Sequence, residues 1–465
     1  MTMPAETRVW ILASVGFYML AMVLIGWWAS RQVKDTKDYI IAGGSLGWPL
    51  TFGSIFATWF GAETCMGASA TAHAKGLLGV ITDPFGAGLC LILFGLFFAR
   101  LFRNMGIETI VDYFEARYGR DVAAALSLLY IPAYVGWIGA QLLAFGIILH
   151  SMSGMPITPS VVVSTVVVLV YTYLGGMWAD VLADFFNMIV LVLGLIIVFP
   201  FLLKDLGSLS AARAAVPAEF FDFYPRDGSA LTWFNYLQAW MLVGVGSLPA
   251  QDLLQRTMSA RTPGISQWSS IAAGFCYIAI GAIPVLMGIF GRVVLPGNAG
   301  ESILIDLAAR YLPGPLIAIM IGALLAAIMS SADSAILAPA SIIGRNIVPY
   351  LVPGASERVM LNLCRVSVVV VGLLSLTLAL HFQNIYRLCQ EAWGILLNGV
   401  AAPMIFGVFW KRASPAGAFA GGIAGIAVWV AAKILLPGDY PHNLMGFAAS
   451  CLALVAGSLL KPRPA

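Results

Sequence analysis

Residues 314–343 read GPLIAIMIGALLAAIMSSADSAILAPASII, a stretch with no Lys, no Arg and a single carboxylate. A helix of that length rises about 45 Å, more than the ~30 Å hydrocarbon core of a bilayer. Only lipid suits such a run, and within it Ser330, Ser331, Asp333 and Ser334 stand out. At about 100° per residue, Ser330, Asp333 and Ser334 share one face, with Ser331 beside them. A stripe of oxygen atoms is what a hard cation selects. Serines also let helices approach closely, but such packing needs no carboxylate. An ionisable side chain near the bilayer centre costs at least ~2.5–3.5 kcal/mol, so Asp333 marks a functional position.

The rest of the chain is built the same way. Of 465 residues, 60% are hydrophobic and 10% charged, with a mean hydropathy of +0.91. Ordinary globular domains carry about 25% charged residues. The fold class is therefore an all-α integral membrane protein in a lipid bilayer. Thirteen spans are expected near 9–29, 47–73, 79–102, 121–150, 158–174, 178–203, 232–251, 267–295, 314–343, 362–382, 385–410, 413–436 and 442–460. The first reads as a retained span rather than a cleaved signal peptide. Residues 103–120 alternate apolar and charged side chains and predict a helix lying at the membrane surface. With the N-terminus outside and the C-terminus cytoplasmic, inward loops carry 16 of the 25 Lys and Arg, Arg31, Arg103, Arg256, Arg261 and Arg412 among them.

Several function classes fall away. A net charge of +3 is too small to indicate nucleic acid. The six cysteines stand singly in apolar segments, and the four histidines, far apart, read as interfacial side chains rather than metal ligands. There is no Walker A sequence, no GxGxxG, no HExxH and no hydrolase triad with sensible spacing. Neither an enzyme nor an organic cofactor is expected. Secondary transport, the movement of a solute driven by an ion running down its gradient, remains.

Other spans supply partners for the serine stripe. In the sixth, Asp180 reads as a cap near the helix start, while Asp184 lies one turn deeper with Asn187 on the same face. If Asp184 faces Asp333, two carboxylates bound one cation. The second span carries Thr58, Glu63 and Thr64 and is interrupted by glycines; the seventh is broken by Gly244, Gly246 and Pro249. Interrupted helices free backbone carbonyls for ions and solutes near the midplane. These two lie five spans apart, as two inverted five-helix repeats over about 47–203 and 232–410 require.

AAIMSSADSAIL (326–337), YTYLGGMWADVLADFFN (171–187), DYIIAGGSLG (38–47) and GIETIVDYFEARYG (106–119) together resemble the sodium:solute symporter family. The resemblance implies the leucine-transporter fold, with one extra N-terminal and two extra C-terminal helices around a 5+5 inverted repeat, in the plasma (inner) membrane and functional as a monomer. It also implies Na+ as the coupling ion. The principal sodium site would use carbonyls of Ala57, Phe60 and Ala327 and the hydroxyls of Ser330 and Ser331. A second cation site would use Asp184, Ser330, Asp333 and Ser334, where Asp333 replaces a serine of the members that have it. ATWFG (57–61), LILFGLFFARLFR (91–103) and MSSADSAILAPASIIGRNI (329–347) are similar to the high-affinity choline transporter branch. That branch implies an aromatic cage for the solute. Trp59 and Trp137 fall on cage positions, whereas Ala87, Ala250 and Cys389 stand where aromatics are expected. Glu63, Thr64, Gly246 and Glu391 complete the expected solute surroundings. Proton coupling through Asp333 or Glu63, and a solute sensor acting through a partner chain, are the competing readings.

Overall fold

The computed structural model describes residues 33–462, apart from 298, 299, 352, 355 and 383, together with residues 16, 20, 24, 25, 27–29 and 31. The expected first span, 9–29, lies for the most part outside the described residues. Among the described residues the regular structure is helical, with one isolated β-bridge between Leu46 and Ala260.

The expected second span is two helices: α1 (Trp48–Trp59) and α2 (63–75). Then follow α3 (Leu77–Met105), the short α4 (Ile110–Tyr118) and α5 (Arg120–Ser153). Helices α6 (157–175) and α7 (Gly176–Asp205) meet at Gly176, whose φ of 53° and ψ of −153° break an otherwise continuous helix. Only glycine adopts this backbone at low cost. A Cβ there would also stand 2.7 Å from Cε2 of Tyr39.

The expected seventh span is likewise divided, into α8 (Ala230–Gly244) and α9 (Gln251–Ser259). Among the described residues six long apolar helices follow: α10 (Pro263–Val294), α11 (Gly314–Leu351), α12 (Arg358–His381), α13 (Ile385–Phe409), α14 (Pro415–Leu435) and α15 (His442–Leu460). Among the described residues, nine helices are long and apolar enough to cross a bilayer. The interrupted pairs α1/α2 and α8/α9 fall short individually, because their breaks divide the apolar run.

Helix α10 packs along α1, α2 and α3, while α11 and α12 pack on α5, α6 and α7. The site lies where these two groups face each other. Helices α14 and α15 pair at the periphery and present Ile434, Leu435, Leu452, Leu459 and Leu460 outward, as lipid-facing surfaces do. The surface helix expected over 103–120 is α4 with its flanks. Thr109 and Asp112 close a capping box at its start, and Tyr113, Phe114 and Tyr118 anchor its buried face.

Three expectations need correction. Arg256, taken as a loop residue supporting the inward charge bias, belongs to α9 and is completely buried. The helix runs on past residue 251 because its buried face continues through Leu253, Leu254 and Thr257. Asp180 does not serve as a helix cap; it pairs with Arg256. His73, expected at an interface, is buried, with both ring nitrogens on backbone carbonyls, those of Gly288 and Gly297.

Candidate ion and solute site

The break between α1 and α2 has a specific geometry. Phe60 leaves the helix at φ −81°, ψ 61°, and Gly61 N–H turns to the Trp59 carbonyl at 2.9 Å. In a regular helix that N–H would take the Ala57 carbonyl. Here Ala57 is released, and the Ser331 hydroxyl donates to it at 3.5 Å. The first N–H of the resumed chain, Ala62, donates to Gln141 Oε1 of α5 at 3.0 Å, which fixes the bend.

Ser330, one residue back on α11, turns to Asp184: its hydroxyl donates to Oδ1. Asp184 Oδ2 accepts from Ser54 at 2.6 Å and from Thr58 at 3.3 Å. The carboxylate is thus held by hydroxyls from α1 and α11 together. Ser334 is committed elsewhere, donating to Asp180 Oδ1 at 2.9 Å and accepting from Arg256. Asp333 accepts the Ser334 N–H on Oδ1, and its Oδ2 is buried without a partner. Ala57, Asp184, Ser330 and Ser331 are therefore brought together where α1, α7 and α11 meet, but Ser334 joins a fixed guanidinium rather than Asp184.

Helix α9 seals one side of the site. The Arg256 guanidinium pairs with Asp180, donates to Thr58 Oγ1 at 2.5 Å and reaches the Asp252 carbonyl at 3.2 Å. Asp252 accepts from the Trp59 indole at 2.6 Å and from the Tyr134 hydroxyl. Gln255 binds Ser341 Oγ and the Ile40 carbonyl. On the same side Leu46 exchanges backbone hydrogen bonds of 2.8 Å with Ser259 and Arg261. The opposite side holds a vestibule of about 1330 Å³ whose lining includes Lys75, Glu301, Tyr386, Arg387 and Lys433.

Between vestibule and seal lie the residues expected to touch solute. Trp59 and Trp137 do not meet directly. Trp393 joins them, at 6.2 Å and 4.9 Å between ring centroids, and Tyr134 touches both Trp137 and Trp393, at 5.9 Å and 6.5 Å. Glu63 Oε2 accepts the Trp393 indole N–H at 3.2 Å, and the Cys389 thiol neighbours the same carboxyl. Thr64 pairs with the Tyr277 hydroxyl. Ala87 and Ala250 are fully buried, and Gly246 lies in the α8/α9 break against Leu397. Glu391 is not in this group: it is partly exposed at the vestibule rim and pairs with Lys433.

Sequence reasoning missed Trp393, Tyr134, Tyr277, Asp83, Asp252 and Arg256. Asp83 was visible inside an apolar context, where an ionisable residue is a signal in itself, whereas Asp252 and Arg256 lie in a polar run that reads as a loop. The aromatics carried no such mark among thirteen tryptophans and fifteen tyrosines.

Residues 39–425 match the sodium:solute symporter family. The chain belongs to that family. This sodium:solute symporter family member is a multi-pass membrane transporter and not an enzyme. It is 29% identical to a high-affinity choline transporter of Caenorhabditis elegans over 90% of this chain and 77% of the relative. It is 26% identical to a sodium/glucose cotransporter of Vibrio parahaemolyticus, over 88% and 82%. The solved substrate-bound outward-open state of a Na+-coupled sialic acid symporter superposes with a TM-score of 0.86 at 20% identity, covering 98% of this chain and 99% of that one. The phenylalanine-bound transporter MhsT gives a TM-score of 0.60 at 15% identity, over 88% and 97%. The fold is that of the leucine-transporter class.

Proposed function

We propose that the chain imports a small organic solute across the inner membrane by sodium symport, with one sodium ion held at the α1/α2 break. The observation that carries this reading is the Ala57 carbonyl, released by the break and met by the Ser331 hydroxyl. Ala57, Phe60 and Ala327 supply carbonyls, and Ser330 and Ser331 supply hydroxyls. Bound there, the ion ties α1 to α11. That contact favours the state in which the vestibule is open and the sealed side shut, and so couples ion to solute.

Arg256 supplies a fixed positive charge beside Ser334 and Asp180, where a second mobile cation would otherwise be expected. One sodium per solute follows. At a potential of 100 mV, that charge contributes about 2.3 kcal/mol before its concentration gradient is added. Thirteen spans, two inverted repeats over 47–203 and 232–410, an outside N-terminus and a cytoplasmic C-terminus complete the reading. The vestibule then faces outward, and the transporter works as a monomer.

The test is thermal stability of the purified protein in NaCl against KCl at equal ionic strength. A saturable stabilisation specific to sodium, with a Hill coefficient near one, supports the proposal. The partnerless Oδ2 of Asp333 favours a second reading, proton coupling. Equal stability in the two salts, with stability tracking pH instead and that dependence lost in Asp333→Asn, would replace sodium by a proton.

A further inference from the structure

Beneath the vestibule, two buried carboxylate oxygens stand without a hydrogen-bond partner. Glu63 Oε2 has the Trp393 indole, but Glu63 Oε1 is buried with no partner. Asp83 Oδ2 faces the Tyr277 hydroxyl at 2.9 Å, but Asp83 Oδ1 is also buried with no partner. Tyr277 has one proton for two acceptors, Asp83 Oδ2 and the Trp59 carbonyl at 2.7 Å. Its contact with Thr64 is completed by the threonine's own proton. So one further acceptor lacks a hydrogen at any moment. Such a deficit is rare in folded interiors, where buried polar atoms are nearly always paired.

The deficit has a direction. Glu63 on α2 and Asp83 on α3 lie within electrostatic range of each other, and Tyr386 adjoins both. The Tyr386 hydroxyl lies 3.3 Å from the Asp83 N–H, and Tyr386 itself lines the vestibule. Two partnerless carboxylate oxygens therefore stand under the vestibule floor, beside the aromatic group of Trp59, Trp137 and Trp393. These rings pack on one another, and two of their indole N–H groups are already engaged, by Asp252 and Glu63. They do not enclose a methylated cation on several faces, which recognition by cation–π attraction requires.

We propose that Glu63 and Asp83 recognise a small organic cation bearing N–H groups, a primary ammonium or guanidinium, in preference to a quaternary ammonium. The N–H groups supply the missing donors and the positive charge offsets the paired carboxylates. The aromatic group receives the apolar part of the solute. This inference rests on the symport reading and names its substrate class.

The experiment compares ethanolamine, putrescine and agmatine with choline and tetramethylammonium, by thermal shift of the purified full chain in saturating NaCl. At least one N–H cation is expected to raise Tm, with half-saturation about tenfold or more below that of choline. Glu63→Gln and Asp83→Asn are expected to lose that preference while keeping the sodium response of the wild type, which also reports that they fold. Stronger or equal binding of choline or tetramethylammonium overturns the proposal. So does a null response to all five, or an unchanged preference in both variants. Failure of the symport reading shows separately, as equal stability of the wild type in NaCl and KCl with no amine present.

Discussion

Arg256 donates its Nε hydrogen to Thr58 Oγ1 at 2.5 Å, and the same threonine oxygen lies 3.3 Å from Asp184 Oδ2. One hydroxyl thus connects the ion pair that seals one side of the protein to the carboxylate that holds Ser330. Both ends of the connection are buried. A change of position at Asp184 is therefore felt at Arg256 without any long chain of contacts.

Replacing Thr58 by valine, nearly its own shape, removes the connection and strands a guanidinium N–H. A buried donor left unpaired costs ~1–3 kcal/mol. The expected result is a moderate loss of thermal stability. Arg256→Met is expected to be worse, at ~3–5 kcal/mol, because Asp180 then loses its counter-ion in a dry site. Adding Asp180→Asn to Arg256→Met should recover part of the loss. Chemical denaturation of wild type, Arg256→Met, Asp180→Asn and the double variant checks this, and strict additivity would mean that the pair does not act as a unit.

Asp184→Asn keeps the volume but removes the charge that three hydroxyls, from Ser54, Thr58 and Ser330, point toward. The sodium concentration for half-maximal stabilisation is expected to rise by about tenfold or more, some 1.4 kcal/mol of binding. A titration indistinguishable from wild type would place the ion elsewhere.

Gly61→Ala tests the break itself. A Cβ at Gly61 would collide with the Ser331 hydroxyl and lie 2.7 Å from Ser331 Cβ and 2.9 Å from Gln141 Oε1. Ser331 must move off the Ala57 carbonyl. The variant is expected to lose sodium-dependent stabilisation and solute uptake together, while its helix content by circular dichroism stays that of the wild type.

Glu301 stands outside the spanning helices, at the vestibule, where its Oε1 accepts the Ile385 N–H at 3.1 Å and its Oε2 is buried. Burial pushes its carboxyl up from 4.5 to about 7. The folded protein therefore holds this proton where the unfolded chain has released it. Its contribution to stability is complete below pH 4.5 and is lost as pH rises through about 7. Glu301→Gln should flatten that part of the stability–pH curve, as measured by Tm at a series of pH values. An unchanged slope would assign it to another group.

The apolar helices of this chain were legible because lipid imposes one rule, a long apolar run; most described runs lie within a few residues of expectation, while those expected to end at 251 and 343 continue to 259 and 351. Ser330, Ser331 and Asp184 were legible for the same reason, as polar atoms in apolar surroundings. Arg256 was not. QDLLQRTMSAR (251–261) carries four polar or charged groups in its first six residues and reads as a loop, although residues 251–260 are buried. Periodicity reports that a face is buried, but not whether the face opposite also finds protein. Glu391 failed in the opposite sense: an acidic residue in an apolar helix looked central, but a lysine 42 positions away holds it at the rim. Trp393 and Tyr277 needed the third dimension, since nothing in their local sequence distinguishes them from aromatic residues facing lipid.

The bridge between Leu46 and Ala260 has a mechanical consequence. Leu46 lies just ahead of α1 and Ala260 just after α9, so two main-chain hydrogen bonds fasten the outer ends of both interrupted helices to each other. No side chain takes part in these bonds, so among single substitutions only proline, at Leu46 or Arg261, removes a donor. When α1 tilts, α9 is dragged along, and with it Arg256 and the whole seal. The two half-helices behave as a single crank with its bearing on the sealed side, and a force applied at the Gly61 bend becomes a displacement at Arg256.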